Sequence, residues 1–360
     1  MTEDQEQPDG NAADRLGQPD SASVSPEAMR LRRAGLPPVA FGSYPDTLFD
    51  RTLPVVTDRL RSAALACLEG LLFSIGERLV YDVEDFGKAL DLSAAVARLI
   101  GHEVLRDPAL VAALFHRAEE HGVEDALAKL SADNIALGEP TSGDRPFEAL
   151  QKHDDPEVRR RGLALSRLMK LRRAEPPRLL AEELPGDIAA DLHWLLAAEL
   201  GSGRDLATEA ALAASAERIL AERDILRAAQ HLCVLLAQRL AERDELTDSL
   251  PLRLLAEGEL LLAITMLAVR AEVSTGTAWV VLIRGETDAQ IALLSGAGLS
   301  EPVVERTLAL LRTATGQASS VSAARESVRS ARSAFDRAHG KAALEWWRLD
   351  PRYRSASGRL

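Results

Sequence analysis

The sequence is poor in aromatic residues, which make up 4% of its 360 residues although hydrophobic residues account for 46%. The apolar content is mostly leucine and alanine, which favour helices, whereas the aromatic and β-branched residues that fill strands are sparse. A compact fold of this length buries roughly 75% of the surface that the unfolded chain exposes. The composition therefore predicts an all-α protein with a sizeable core.

Cysteines and long apolar runs are also scarce. Cys67 and Cys233, the two cysteines, lie within apolar helical patterns, so we expect buried thiols in a reducing compartment and no disulfide. No run approaches the ~20 apolar residues that a membrane-spanning helix needs, and residues 260–269 form a run about half as long. The N-terminus is acidic and polar where a signal peptide requires a basic patch and an apolar run. These absences predict a cytoplasmic protein without a membrane span.

Motifs for catalysis and for metal or nucleotide binding are missing as well. The seven histidines form no HExxH pattern, and the spacing of five between His116 and His121 places the two rings on different helix faces. The glycine pairs within 201–203 and 296–298 lack the third glycine and the preceding strand of a dinucleotide-binding loop. The net charge of −12 disfavours nucleic-acid binding, because an acidic surface repels phosphates. We predict no metal, no cofactor and no enzymatic activity.

Four regions follow one another along the chain. Residues 1–36 are rich in Asp, Glu, Gln, Pro, Gly and Ser, and because they offer so little apolar surface to bury, we predict that they are disordered. Residues 37–203 are predicted to form an N-terminal helical region and residues 204–316 a C-terminal helical core region. Residues 317–360 form an arginine-rich tail. Within the second helical region, the sequence leaves open whether residues 205–246 form one helix or two.

Capping signals mark several helix starts. The Asp-Pro pairs at 107–108 and 155–156 each place an N-cap aspartate before a proline that suits the first helical position. Either Ser274 or Thr275 is predicted to cap the helix that contains Trp279. Thr287 with Gln290 fits a capping box, in which each side chain satisfies a free backbone N–H group.

The most hydrophobic stretch of the chain is residues 252–312. Within it, residues 260–269 carry no charge, which predicts a helix that is buried on nearly all sides. Three short helices are expected to follow within residues 274–312. We predict that this stretch is the core on which the other helices pack.

Two resemblances to known families accompany these patterns. Residues 155–159 (DPEVR), followed by residues 163–165 (LAL), resemble the second-helix opening of a HEAT-type repeat, and the two Asp-Pro starts at 107 and 155 lie 48 residues apart, close to the repeat length of ~40–47 residues. Residues 277–300, which end in an Ala-Gly-Leu-Ser corner, resemble the C-terminal part of an alphaproteobacterial family of helical proteins, domain of unknown function 2336. The resemblances imply stacked helix pairs, HEAT-like or arranged in an irregular α-superhelical array, and bring no catalytic residues.

The tail is the strongest functional hint, because tryptophan and arginine are favoured at binding hot spots. In one interpretation the tail docks on an acidic partner or on the acidic body of this protein. In the other it is a C-terminal helix whose tryptophans pack on the core while its arginines stay solvated. The candidate partner-binding residues are Arg325, Arg329, Arg332, Trp346, Trp347 and Arg348.

The leading hypothesis is a non-enzymatic, cytoplasmic helical scaffold or regulator that binds protein partners of unknown identity. One alternative is a nucleic-acid-binding regulator that uses the helices of residues 274–312 together with the basic tail. A second alternative is an enzyme with an unrecognised site between helical layers. The oligomeric state, including a homo-oligomer, stays open.

Overall fold

Within the parts of the chain that the structure describes, every regular element is a helix, which confirms the all-α prediction. The predicted disorder of residues 1–36 falls largely outside those parts, and the four residues of that segment that are described are helical. The computed structural model describes residues 30–31, 33–34, 48–49, 56–81, 83, 90–100, 102–132, 145–224 and 228–357.

Besides the helical residues 30, 31, 33 and 34, sixteen α-helices lie within these ranges. The first eight are α1 (Asp58–Tyr81), α2 (Leu92–Leu99), α3 (Pro108–Ala132), α4 (Pro146–Gln151), α5 (Pro156–Arg172), α6 (Gly186–Gly201), α7 (Leu206–Ala221) and α8 (Ala229–Glu242). The second eight are α9 (Ser249–Ala256), α10 (Leu260–Ala271), α11 (Thr275–Trp279), α12 (Thr287–Gly296), α13 (Glu301–Ala314), α14 (Val321–Ala334), α15 (Arg337–Trp347) and α16 (Pro351–Ser357). Single 3₁₀ turns lie at Glu103–Arg106 and Ala181–Glu183, and a π-helical turn at Val280–Arg284 extends α11.

The buried side chains form two large hydrophobic cores. The first lies between α1, α2, the N-terminal half of α3, α6 and α7. The second, larger core surrounds α10 and includes side chains of α5, α8, α9, α12, α13 and α15. Helix α3 spans both, with Leu114 in the first core and Leu127 in the second. The predicted boundary between residues 37–203 and 204–316 does not follow this division, because α7 packs in the first core and α4 and α5 in the second.

Helix α10 is the centre of the second core. All residues from 260 to 268 are buried, which confirms the prediction of a helix buried on nearly all sides. The helix ends at Ala271, and the following C-cap residue, Glu272, has a left-handed φ of 58°. No helix in the described ranges is by itself long and apolar enough to cross a membrane; α10 and residues 275–284 reach that length and hydropathy together, but the chain bends by 111° between them.

Three of the predicted helix starts are confirmed. The Asp107 carboxylate accepts the N–H groups of residues 109 and 110 at 2.8 and 3.0 Å, and Asp155 accepts those of residues 157 and 158 at 2.8 and 3.1 Å. The Ser274 hydroxyl accepts the N–H of Thr277 at 3.1 Å. These bonds satisfy backbone donors that a helix leaves free at its first turn.

The predicted capping box at the start of α12 is wrong. Glu286 is the N-cap residue and makes no capping bond with its side chain. The Gln290 amide instead donates to the carbonyl of Leu282 at 2.8 Å, and Thr287 accepts a hydrogen bond from Arg312 at 2.7 Å. Buried tertiary partners therefore replace the local reciprocal bonds that the sequence suggested.

The open question about residues 205–246 is also decided. Helix α7 ends at Ala221 and α8 begins at Ala229, so the segment contains two helices. Helix α7 packs on α6 in the first core, whereas α8 packs on α5 and α10 in the second. The break between them is where the chain passes from one core to the other.

Candidate functional site

The arginine-rich tail docks on the body of the protein. Trp347 is 0% exposed and belongs to the second core, while Trp346 lies half-buried beside it. Arg348 donates from Nε to the carbonyl of Ala271 at 3.1 Å, and its Nη2 lies 3.5 Å from a carboxylate oxygen of Glu272. These contacts attach α15 to the C-terminal end of α10, so Trp347 and Arg348 anchor the tail to the body of the protein.

The arginines of α14 lie along α13. Arg329 pairs with Glu305 at 2.8 Å and Arg332 with Glu301 at 2.5 Å. Arg325 lies on the same helix and is half-buried. Since α14 packs along α13, Arg329 and Arg332 are held against the carboxylates of the preceding helix.

A groove with a volume of about 400 Å³ lies between α12 and the corner where α14 leads into α15. Its rim carries three cations, Arg332, Arg337 and Lys341. An apolar floor next to cations is the arrangement that accepts an amphipathic, acidic ligand. The apolar floor consists of Ile291, Ala292, Leu299, Phe335 and Leu344.

Two glycines allow α12 and α15 to pack closely at the apolar floor of the groove. Gly296 of α12 lies against the side chain of Leu344, and Gly340 of α15 lies against the ring of Phe335. A Cβ atom at either glycine would overlap these neighbours. Helices α12 and α15 therefore pack closely at the bottom of the groove.

The rim cations differ in how far they are neutralised. Arg332 is only partly exposed and is paired with Glu301. The side chain of Arg337 is 87% exposed, and its Nη2 lies 3.8 Å from the same carboxylate. Lys341 is exposed, and no carboxylate within the described part of the chain forms an ion pair with it. Arg337 and Lys341 are thus the two cations that remain accessible to an anionic group.

Sequence reasoning selected Arg332 but missed Arg337 and Lys341. Of the six predicted residues, all of which the structure describes, Arg332 is the one that lines the groove. The signal that would have found the other two cations is helical spacing: Arg337, Lys341 and Leu344 lie four and three residues apart, so they share one face of α15. The opposite wall comes from α12, about forty residues earlier, and no local pattern links the two.

A cluster of buried charges lies where α3 passes between the two cores. Arg172 donates to both carboxylate oxygens of Glu120 at 2.8 Å, and Arg117 Nη1 lies 3.2 Å from the same carboxylate. Burial alone would raise the pKa of Glu120, but the charges of Arg172 and Arg117 outweigh it and lower the pKa to about 2. Glu120 is therefore a buried carboxylate that stays ionised.

Glu124 extends this cluster one helical turn further along α3. Its carboxylate lies 3.5 Å from Arg173, which itself pairs with both oxygens of Glu259 at 2.8 Å. Burial, together with the negative charge of Glu120, raises the pKa of Glu124 to about 7. With Glu183, whose carboxylate lies 2.9 Å from Arg172 Nε, the cluster contains four carboxylates and three guanidinium groups, and a proton on Glu124 compensates for the excess.

The histidines and cysteines do not converge on a site. The His116 ring packs edge-on against Trp279 with centroids 4.5 Å apart, and burial lowers its pKa. Cys67 and Cys233 are buried free thiols, as predicted, and burial raises the pKa of Cys67 to about 11. Among the described residues, no three His, Cys, Asp or Glu side chains are grouped so that they could hold a metal ion.

Comparisons of this chain with protein-family models, curated proteins and solved structures gave no match. The resemblances to HEAT repeats and to the family of domain of unknown function 2336 therefore stay predictions. The groove between α12 and α15 is the feature on which a functional assignment depends.

Proposed function

We propose that the protein is a non-enzymatic, cytoplasmic interaction protein that binds an acidic, amphipathic segment of a protein partner in the groove between α12 and α15. The observation that carries the proposal is the pairing of an apolar floor with two accessible cations, Arg337 and Lys341. Buried free thiols such as Cys67 support a reducing compartment.

The chemistry of the groove defines the ligand class. Each large apolar side chain that enters the floor contributes about 1.5–3 kcal/mol through the hydrophobic effect. Carboxylates that meet Arg337 and Lys341 add orientation and speed the encounter more than they add affinity. A segment with a few apolar side chains flanked by acidic residues satisfies both requirements.

A nucleic-acid interface formed by the helices of residues 274–312 receives less support. Arg284 is held by Glu119, with Nη2 2.6 Å from a carboxylate oxygen, and Arg312 donates to Thr287 at 2.7 Å. These arginines make intramolecular contacts where phosphate recognition requires outward-facing cations.

Affinity capture from the native host tests the proposal with a matched pair of charge reversals. The double variant Arg337→Glu/Lys341→Glu is compared with the control Arg59→Glu. The control reverses an exposed charge on α1, a helix that packs in the first core, away from the groove. We expect a specific partner to be recovered by the wild type and by Arg59→Glu and lost with the double variant, and its recovery to fall as salt screens the charges. Equal recovery of all specific partners by the double variant and the wild type would overturn the proposal, provided that both have the same melting temperature.

A further inference from the structure

Two described residues near the N-terminus, Arg30 and Leu31, contact the body of the protein beside the groove. Arg30 lies with Nε 3.3 Å from a carboxylate oxygen of Glu286 and with Nη2 3.4 Å from one of Asp288. The neighbouring Leu31 is 3% exposed and belongs to the second core. Arg30 therefore meets the body of the protein at the start of α12.

The same face of α12 leads from this contact into the groove. Asp288 is followed at helical spacings of three, four and seven residues by Ile291, Ala292 and Ser295, which line the groove. The distance from Asp288 to Ser295 along the helix is roughly 10 Å at a rise of about 1.5 Å per residue. An extended chain covers that distance with about three residues. The residues immediately before Arg30 are thus long enough to reach the groove.

The composition of this segment is complementary to the groove. Residues 1–29 contain seven acidic residues and a single basic residue, an arginine. Within the ten residues before Arg30, the acidic residues Asp20 and Glu27 lie on either side of Val24, and Met29 follows Glu27 by two residues. This is the combination of carboxylates and apolar side chains that the apolar floor and the rim cations accept.

We infer that residues 20–29 of this chain bind in the groove between α12 and α15, with Glu27 and Asp20 at the Arg337 and Lys341 rim. The inference rests on the proposed function of the groove and adds its regulation, because the tethered segment competes with the acidic segment of a partner. A tether of a few residues gives an effective concentration in the millimolar range, so even a weak intramolecular contact keeps the groove largely occupied.

Carbodiimide cross-linking of the full chain tests the contact directly. This reagent joins a carboxylate to an amine as an amide, with loss of water to the reagent, and adds no spacer between them. We expect mass spectrometry to find Lys341 joined to Glu27 or Asp20 within one chain. Lys129 and Lys170, which are also exposed, serve as internal controls and should not be joined to these acids. Cross-links spread evenly over the three lysines would overturn the inference.

Isotope labelling and a double variant sharpen this experiment. In an equal mixture of heavy and light chains, an intramolecular cross-link joins only peptides of the same label. A Lys341 cross-link of which about half the product joins peptides of different label would overturn intramolecular binding and indicate a second copy as the occupant. The variant Asp20→Asn/Glu27→Gln removes the two reactive carboxylates outside the described body, so the fold should persist while the Lys341 cross-links to both positions disappear.

Competition gives a second readout with a defined probe. A fluorescent peptide with the sequence of residues 18–31 should bind the full-length Asp20→Asn/Glu27→Gln variant at least about tenfold more tightly than the wild type, because the intramolecular competitor is weakened. Adding Lys341→Glu to that variant should abolish the gain. Equal affinities of wild type and variant would contradict the inference.

The failure of this inference and that of the proposed function are distinguishable. If Arg337→Glu/Lys341→Glu loses a specific partner but the Lys341 cross-link is absent, the groove binds partners and the N-terminal segment does not occupy it. If the cross-link forms and partner recovery is unchanged by the double variant, the segment occupies the groove but partners bind elsewhere.

Discussion

Arg172 of α5 and Glu120 of α3 form a bidentate ion pair, with two hydrogen bonds of 2.8 Å, at a position where both residues are less than 5% exposed. On α3 the pair lies between Ala118, which belongs to the first core, and Val123, which belongs to the second. A buried charge without its partner is costly, so this pair restricts how α3 and α5 can be placed relative to each other.

Removing one partner of this pair is expected to destabilise the protein strongly. Glu120→Gln should lower the free energy of unfolding by about 3–5 kcal/mol, because the charge of Arg172 remains buried with less compensation. Urea denaturation followed by circular dichroism measures the effect. Arg160→Ala, which removes a surface pair with Glu157, is the control and should change stability little. A comparable loss in both variants would contradict a special role of the buried pair.

The raised pKa of Glu124 predicts how the free energy of unfolding changes with pH. Its pKa in the folded protein, raised to about 7, lies above the ordinary value of 4.5, so the folded state holds the proton more tightly than the unfolded chain. The resulting stabilisation is complete below pH 4.5 and is lost as the pH rises through about 7. Glu124→Gln keeps a neutral side chain throughout and does not lose this contribution.

The stability difference between Glu124→Gln and the wild type should therefore shift in favour of the variant between pH 5 and pH 8. Since one pKa unit corresponds to about 1.4 kcal/mol, we expect a shift of about 2–3 kcal/mol. Denaturant titrations of both proteins at several pH values measure it. A difference that stays constant over this range would show that Glu124 does not titrate there.

Gly162 of α5 is predicted to be intolerant of a side chain. A Cβ at this position would lie 2.9 Å from the carbonyl oxygen of Leu150 in α4, and a backbone atom cannot move aside as a flexible side chain can. Gly162→Ala should cost about 1–3 kcal/mol through overpacking. The matched control is Gly122→Ala in α3, where no atom lies within 4 Å, so its higher helix propensity should stabilise the protein by up to about 1 kcal/mol. Melting temperatures that move in the same direction would contradict this prediction.

The two adjacent tryptophans of the tail should differ in their effect on stability. Trp347→Ala removes a fully buried side chain from the second core and should cost about 3–5 kcal/mol. Trp346→Ala removes a half-buried ring that packs edge-on against Tyr353 with centroids 6.1 Å apart, so it should cost less. Thermal unfolding compares the two. A larger decrease in melting temperature for Trp346→Ala than for Trp347→Ala would be inconsistent with the way the tail is anchored.

The features that could be predicted from sequence are those that arise from short stretches of chain. The leucine- and alanine-rich composition predicted helices, the Asp107 and Asp155 caps predicted two helix starts, and the uncharged run 260–269 predicted a buried helix. Where the local pattern had a tertiary competitor, the prediction was wrong: Gln290 fits a capping box in sequence, but in the folded chain it donates to the buried carbonyl of Leu282.

The sequence by itself thus determined the helical class, three helix starts and the burial of α10, because these depend on backbone preferences and on apolar side chains within a few turns of helix. Tertiary structure alone decided the rest. Glu120 and Arg172 are 52 residues apart and meet only because α3 passes between both cores. Likewise, the groove exists only because Gly296 and Leu344 come into contact, which brings α12 beneath the cations of α15. Long-range packing of this kind leaves no periodic signal in a single sequence.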